Sequence, residues 1–168
     1  MNVLTQPLLA KAGTITPQMK AVAEKERRDP EWIRAKVADG TIVIPANVMH
    51  KNLVPVGIGR ELYTKINANI GNSTLSSCPK EEQNKLATAI KYGADTVMDL
   101  STGGNIMAIR ANLIAHSPIP VGTVPVYEMV ARAGADGISR ELMLQVMEEQ
   151  AAQGVDYMTI HAGLLDRH

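Results

Sequence analysis

Apolar and polar positions change their spacing along the chain. Over about the first 40 residues the apolar positions recur at helical intervals. Thr16-Pro17 reads as an N-cap with proline at the first helical position, and Met19, Val22 and Ala23 share one face. Asp29-Pro30 repeats the device, with Trp32, Ile33 and Val37 apolar and Gly40 as the stop. Two short helices are therefore expected, covering the bottom or side of a barrel. Residues 41–44 (TIVI) form a strand by composition; Pro45 interrupts it, and NVMHKNLVPVGIGR is expected as a connection or hairpin.

From residue 64 onward, short β-branched or apolar runs alternate with helical stripes. Strands are expected near 64–70, 95–100, 120–125 and 156–161. Between them, Pro79 opens a helix whose first turn carries Glu81 and Glu82, whose stripe is Leu86 and Ile90, and which Gly93 ends. Residues 105–116 place Ile106, Ile109 and Leu113 on one side, and residues 139–153 bury Leu142 and Val146 before stopping at Gly154. This alternation means βαβ units and a parallel sheet. The segments GADTVMDL and GVDYMTIH repeat a helix stop, an aspartate and a buried strand in the same positions. Such units build a parallel (β/α)8 TIM-type barrel, an α/β fold that typically needs about 250 residues. With 168 residues and four good units, the chain is expected to supply the first half of that barrel. Residues 1–63 are the lead-in and residues 64–168 the first four βα units. A parallel sheet left open exposes an edge, so a fragment, a truncated product or one partner of a split assembly is expected.

Composition narrows the class. Lysine plus arginine balance aspartate plus glutamate at 17 each, with no long run of either sign, so nothing argues for nucleic acid or an anionic membrane. No apolar run approaches the roughly 20 residues of a membrane span, and no secretory signal opens the sequence, which makes a cytoplasmic location the expectation. The single cysteine, Cys78, can neither close an internal disulfide nor by itself hold a thiolate metal site.

Candidate chemistry collects at the expected strand ends, where α/β proteins place it. Asn67 and Asn69 alternate with Ile66, Ala68 and Ile70, so both amides share a face, and Gly71 permits close backbone approach to a ligand; asparagines there also serve turn backbone. Asp99 and Ser101 lie on one side of their strand and Met98 on the other, where a methionine is also ordinary core filler. Tyr127, the last residue of GTVPVY, offers a phenol to a ligand or anchors a strand end; His161, ending a strand in TIHAG, offers an imidazole that more often is structural. His50 and His116 read as loop and helix-end residues, and Cys78 as inert.

NANIGNS, GADTVMDLSTGG, PVGTVPVYE and GVDYMTIHAG, in that order and spacing, closely resemble the phosphomethylpyrimidine synthase family of thiamine pyrimidine biosynthesis, from about Thr14 to the last residue. The resemblance implies a radical S-adenosylmethionine lyase on a (β/α)8 barrel. It would rearrange 5-aminoimidazole ribonucleotide to 4-amino-5-hydroxymethyl-2-methylpyrimidine phosphate, using a 4Fe-4S cluster, S-adenosylmethionine and a divalent metal, zinc or iron. Carried over residue by residue, the substrate-contacting asparagine is Asn69, the methionine Met98, the tyrosine Tyr127 and the histidine His161. Homodimers are common in the family. The later motifs are missing, among them the C-terminal C-x-x-C-x-x-x-x-C that supplies three cluster thiolates, so cluster and metal ligands are absent here and the chain alone is expected to be inactive. A paralogous group, 5-hydroxybenzimidazole synthase, shares these motifs and the substrate. A non-catalytic half-barrel that binds a phosphorylated ligand or a partner chain is a third reading.

Overall fold

The computed structural model describes residues 5–73 and 79–162. Caps explain the amino-terminal helices. α1 (Gln6–Lys11), which the sequence pattern did not mark, precedes α2 (Pro17–Glu26) and α3 (Pro30–Ala38). The Thr16 hydroxyl accepts the Met19 amide and the Asp29 carboxylate accepts those of Glu31 and Trp32, satisfying donors that the first turn leaves unpaired. These helices bury Ala10, Met19, Val22, Ile33 and Val37 against Ile42 and Ile44. The expected hairpin is a two-stranded antiparallel ribbon, β1 (Ile42–Val43) with β2 (Ile58–Gly59).

The second unit is a four-stranded sheet, parallel throughout and in chain order: β3 (Asn67–Ile70), β4 (Thr96–Asp99), β5 (Val121–Thr123) and β6 (Tyr157–Met158). All four expected strands exist but are shorter than expected, the last ending well before His161. Between them run α4 (Pro79–Lys91), α5 (Ile106–His116), α6 (Pro125–Ala133) and α7 (Arg140–Gln153). α6 corrects the sequence reading: Pro125 is not the end of a strand but the first residue of a helix, where its missing N–H costs nothing. One face of the sheet carries Ile70, Val97 and Val121 into a core with Leu86, Ile109, Leu113 and Ile114. Seven helices and a parallel sheet among the described residues are compatible with part of a barrel.

The internal repeat has a physical basis. Asp95 and Asp156, in matching positions, each accept the main-chain N–H of the residue opposite, Ile66 at 3.0 Å and Val121 at 2.8 Å. Each also donates its own N–H to that same residue's carbonyl. The aspartates thus clamp the entry of neighbouring strands.

Asp156 does more. Its Oδ2 lies 2.7 Å from His50 Nδ1, and His50 Nε2 lies 2.8 Å from the Ser117 carbonyl, both side chains of the pair being fully buried. Both ring nitrogens face acceptors, an arrangement that the doubly protonated ring satisfies in full. Burial alone would lower its pKa; the Asp156 hydrogen bond, the Ser117 carbonyl and the Asp156 charge outweigh it and raise it. A raised folded pKa gives stability fully present below the unfolded value of about 6.5 and lost as pH rises through the folded value. His50→Gln is therefore expected to cost about 1–3 kcal/mol at pH 6 and progressively less toward alkaline pH. Urea midpoints measured across that range check the trend.

Candidate functional site

Register decides which side chains share a face. Asn69 pairs with Met98, Met98 with Gly122, and Gly122 with Tyr157, while Asn67 pairs with Thr96. In a parallel sheet such partners point the same way, opposite to Ile70, Val97 and Val121. Among the described residues, Leu86 of α4 and Ile109, Leu113 and Ile114 of α5 pack on the latter side. The other face is polar and open along β3, with Asn67 and Asn69 exposed and Met98 and Tyr157 half-buried, while Thr96 on β4 is buried.

Hydrogen bonds order this face. The Tyr157 hydroxyl donates to Asn67 Oδ1 at 2.8 Å, with the Val97 carbonyl 3.0 Å away. Thr96 Oγ1 donates to the same Asn67 oxygen at 2.9 Å, and Asn67 Nδ2 donates to Asn69 Oδ1 at 2.9 Å. Thr159 Oγ1 lies 3.8 Å from the Met98 sulfur. Tyr157 reaches β3 and β4 from β6 because Gly122 has no side chain; a Cβ there would overlap the tyrosine's Cε2 and Cζ. Burial raises the Tyr157 pKa, so the phenol keeps its proton.

The four residues carried over from the resemblance are only partly gathered. Asn69 and Met98 are neighbours on adjacent strands. Tyr127 corrects the expected strand-end position: it sits in the first turn of α6, half-buried, and no hydrogen bond within the described residues holds its hydroxyl. His161 lies beyond β6, exposed, rather than ending a strand. It borders a largely apolar cavity of about 220 Å³ with Pro125, Val126, Met129, Met143 and Thr159. Asp99 and Ser101 take the helix-covered side: Ser101 donates to Asp99 through N–H (3.0 Å) and hydroxyl (2.5 Å) and accepts the Asn72 N–H at 3.2 Å. Burial raises the Asp99 pKa against the opposing pull of Ser101 and Arg110. At Gly71 the Leu100–Ser101 main chain lies 2.7–2.8 Å from where a Cβ would stand. Cys78 lies outside the described residues.

Sequence reasoning missed two groups. Tyr157 and Thr96 were legible only through register. The second is a buried polar cluster behind β5. There Arg110 Nη1 and Gln150 Nε2 both donate to Glu128 Oε2 at 2.7 Å, Thr123 donates to Gln150 Oε1 at 2.6 Å, and Arg132 Nη2 meets Glu128 Oε1 at 2.5 Å.

Comparison with known proteins adds a decisive observation: residues 5–168 match the radical SAM ThiC family. The chain belongs to that family. Its relatives include proteins named phosphomethylpyrimidine synthase from Natronomonas pharaonis, 58% identical over 165 residues, and Haloarcula marismortui, 57% identical over 166. One from Halobacterium salinarum is 54% identical over 165 residues. Each comparison covers 98% of this chain and 35% of the relative, so the chain spans about a third of the length of these ThiC relatives. Radical SAM family membership implies S-adenosylmethionine and an iron–sulfur cluster. One cysteine does not supply the thiolates a cluster takes, so the donor set of this chain does not fit it. Among the described residues, no group of three or more histidine, cysteine, aspartate or glutamate side chains could hold a metal ion. No helix among them is long and apolar enough to cross a membrane.

Proposed function

We propose that the protein containing this chain is a radical S-adenosylmethionine lyase of thiamine biosynthesis. It rearranges 5-aminoimidazole ribonucleotide to 4-amino-5-hydroxymethyl-2-methylpyrimidine phosphate in the cytoplasm, as a homodimer. The observation that carries this reading is the family match over nearly the whole chain, together with relatives of that name at 54–58% identity. Residues 64–168 form the first four units of a (β/α)8 barrel, and its remaining strands, cluster thiolates and divalent metal ligands come from a continuation of the chain or a complementing one. The open polar face is where the ribonucleotide lies. Asn69 offers an amide hydrogen bond and Met98 a soft wall; Tyr127 and His161 approach substrate polar groups from beyond the strand ends.

The test is anaerobic turnover by the complete protein with the ribonucleotide, S-adenosylmethionine and a reductant, followed by mass spectrometry. The pyrimidine phosphate is expected. A hydroxybenzimidazole product would move the protein to the paralogous group, and binding without consumption would leave a non-catalytic half-barrel. In the same protein His161→Ala is expected to weaken ribonucleotide binding roughly tenfold, the loss of about one hydrogen bond. Calorimetric titration checks it, and unchanged affinity removes His161 from the site.

A further inference from the structure

We infer that Asn67, held by Thr96 and Tyr157, is a positioning residue. It fixes the Asn69 amide with Nδ2 toward the open face, so that this site takes a hydrogen-bond acceptor of its ligand. The inference rests on the reading of Asn69 as a contact to the ribonucleotide.

Donors and acceptors decide which way the two amides turn. A side-chain amide has one oxygen and one nitrogen. The Asn67 oxygen receives the Thr96 hydroxyl at 2.9 Å and lies 2.8 Å from the Tyr157 hydroxyl, whose single proton it shares with the Val97 carbonyl at 3.0 Å, which leaves its nitrogen for the Asn69 oxygen at 2.9 Å. Among the described residues no hydrogen bond uses Asn69 Nδ2, which is therefore the group left to meet a ligand. An asparagine on an exposed strand otherwise turns its amide freely and presents either end. Here β3, β4 and β6 together settle which end it presents, before any ligand arrives. Such preorganisation removes an ordering cost from binding. The Tyr157 phenol stays a donor because burial holds its pKa up. Gly122 is part of the same device, since only an absent side chain lets the tyrosine cross β5.

The experiment uses the complete protein and 5-aminoimidazole ribonucleotide, with affinity read by calorimetry and folding by thermal midpoint. Asn69→Ala should lose roughly tenfold in affinity. Asn67→Asp keeps size and both hydroxyl bonds but cannot donate, so Asn69 must turn its nitrogen inward and show the ligand an oxygen. Its expected loss matches that of Asn69→Ala at an unchanged midpoint, and the double variant N67D/N69A loses no more than either alone. Tyr157→Phe keeps the ring and should lose part of the affinity; Thr96→Ser should recover what Thr96→Val loses. Wild-type affinity in Asn67→Asp, beside a weakened Asn69→Ala, overturns the positioning role and leaves the contact intact. Losses that multiply in the double variant overturn it too. Wild-type affinity in Asn69→Ala overturns the contact itself and the positioning role with it.

Discussion

Arg110→Met is expected to destabilise the fold by about 3–5 kcal/mol, the cost of stranding a buried partner charge. Arg110 and Glu128 are each only a few per cent exposed, and Arg110 also donates through Nε to Gln153 at 2.6 Å. Without it, Glu128 keeps Arg132 and Gln150, which places the loss toward the lower end of that range. Burial would raise the Glu128 pKa, yet Arg110 first, then Gln150 and Arg132, bring it below the usual carboxylate value. A depressed folded pKa gives stability that is present above the unfolded value of about 4.3 and lost as pH falls through the folded value. The wild type should therefore lose more stability on acidification than the variant. An apolar replacement of both partners, R110M/E128L, should recover most of the loss, because well-packed apolar groups often match a buried ion pair. Urea unfolding measures all three; an unchanged midpoint in Arg110→Met would show that the pair contributes nothing to stability.

Gly122→Ala should unseat Tyr157. The added methyl occupies the volume of the tyrosine ring, so the phenol leaves Asn67 and the Val97 carbonyl. Overpacking of this kind costs about 1–3 kcal/mol, and loss of the shared phenol hydrogen bond adds about 1 kcal/mol. Ribonucleotide affinity should fall with it, because the amide order on the open face is lost. Combining the change with Tyr157→Leu relieves the overlap: stability should return while affinity stays low. Calorimetry and thermal unfolding separate the two effects, and a Gly122→Ala protein with wild-type affinity and midpoint would contradict the proposed packing.

The elements that were legible in the sequence are those with a local signature. Thr16-Pro17, Asp29-Pro30 and Gly154 marked helix ends through side-chain caps and left-handed backbone, and the structure uses each for that purpose. α1 and α6 lack a capping side chain, and in α6 the β-branched run before Pro125 masked a helix start, which is why Tyr127 was misplaced. The polar network escaped for a different reason. Tyr157 and Asn67 are 90 residues apart, and His50 and Asp156 are 106 apart. Such pairs exist only once the strands take their register. Asn69 and Met98 were singled out because the pattern of residues around them resembles a known family, not because either residue type is informative alone.

Whether the open face of the sheet receives the ribonucleotide is decided by a structure of the complete protein with 5-aminoimidazole ribonucleotide bound. The expected result is an acceptor atom of the nucleotide within hydrogen-bond distance of Asn69 Nδ2, with Met98 against its ring or ribose. A nucleotide bound on the helix-covered side, or with no contact to β3 and β4, would contradict it.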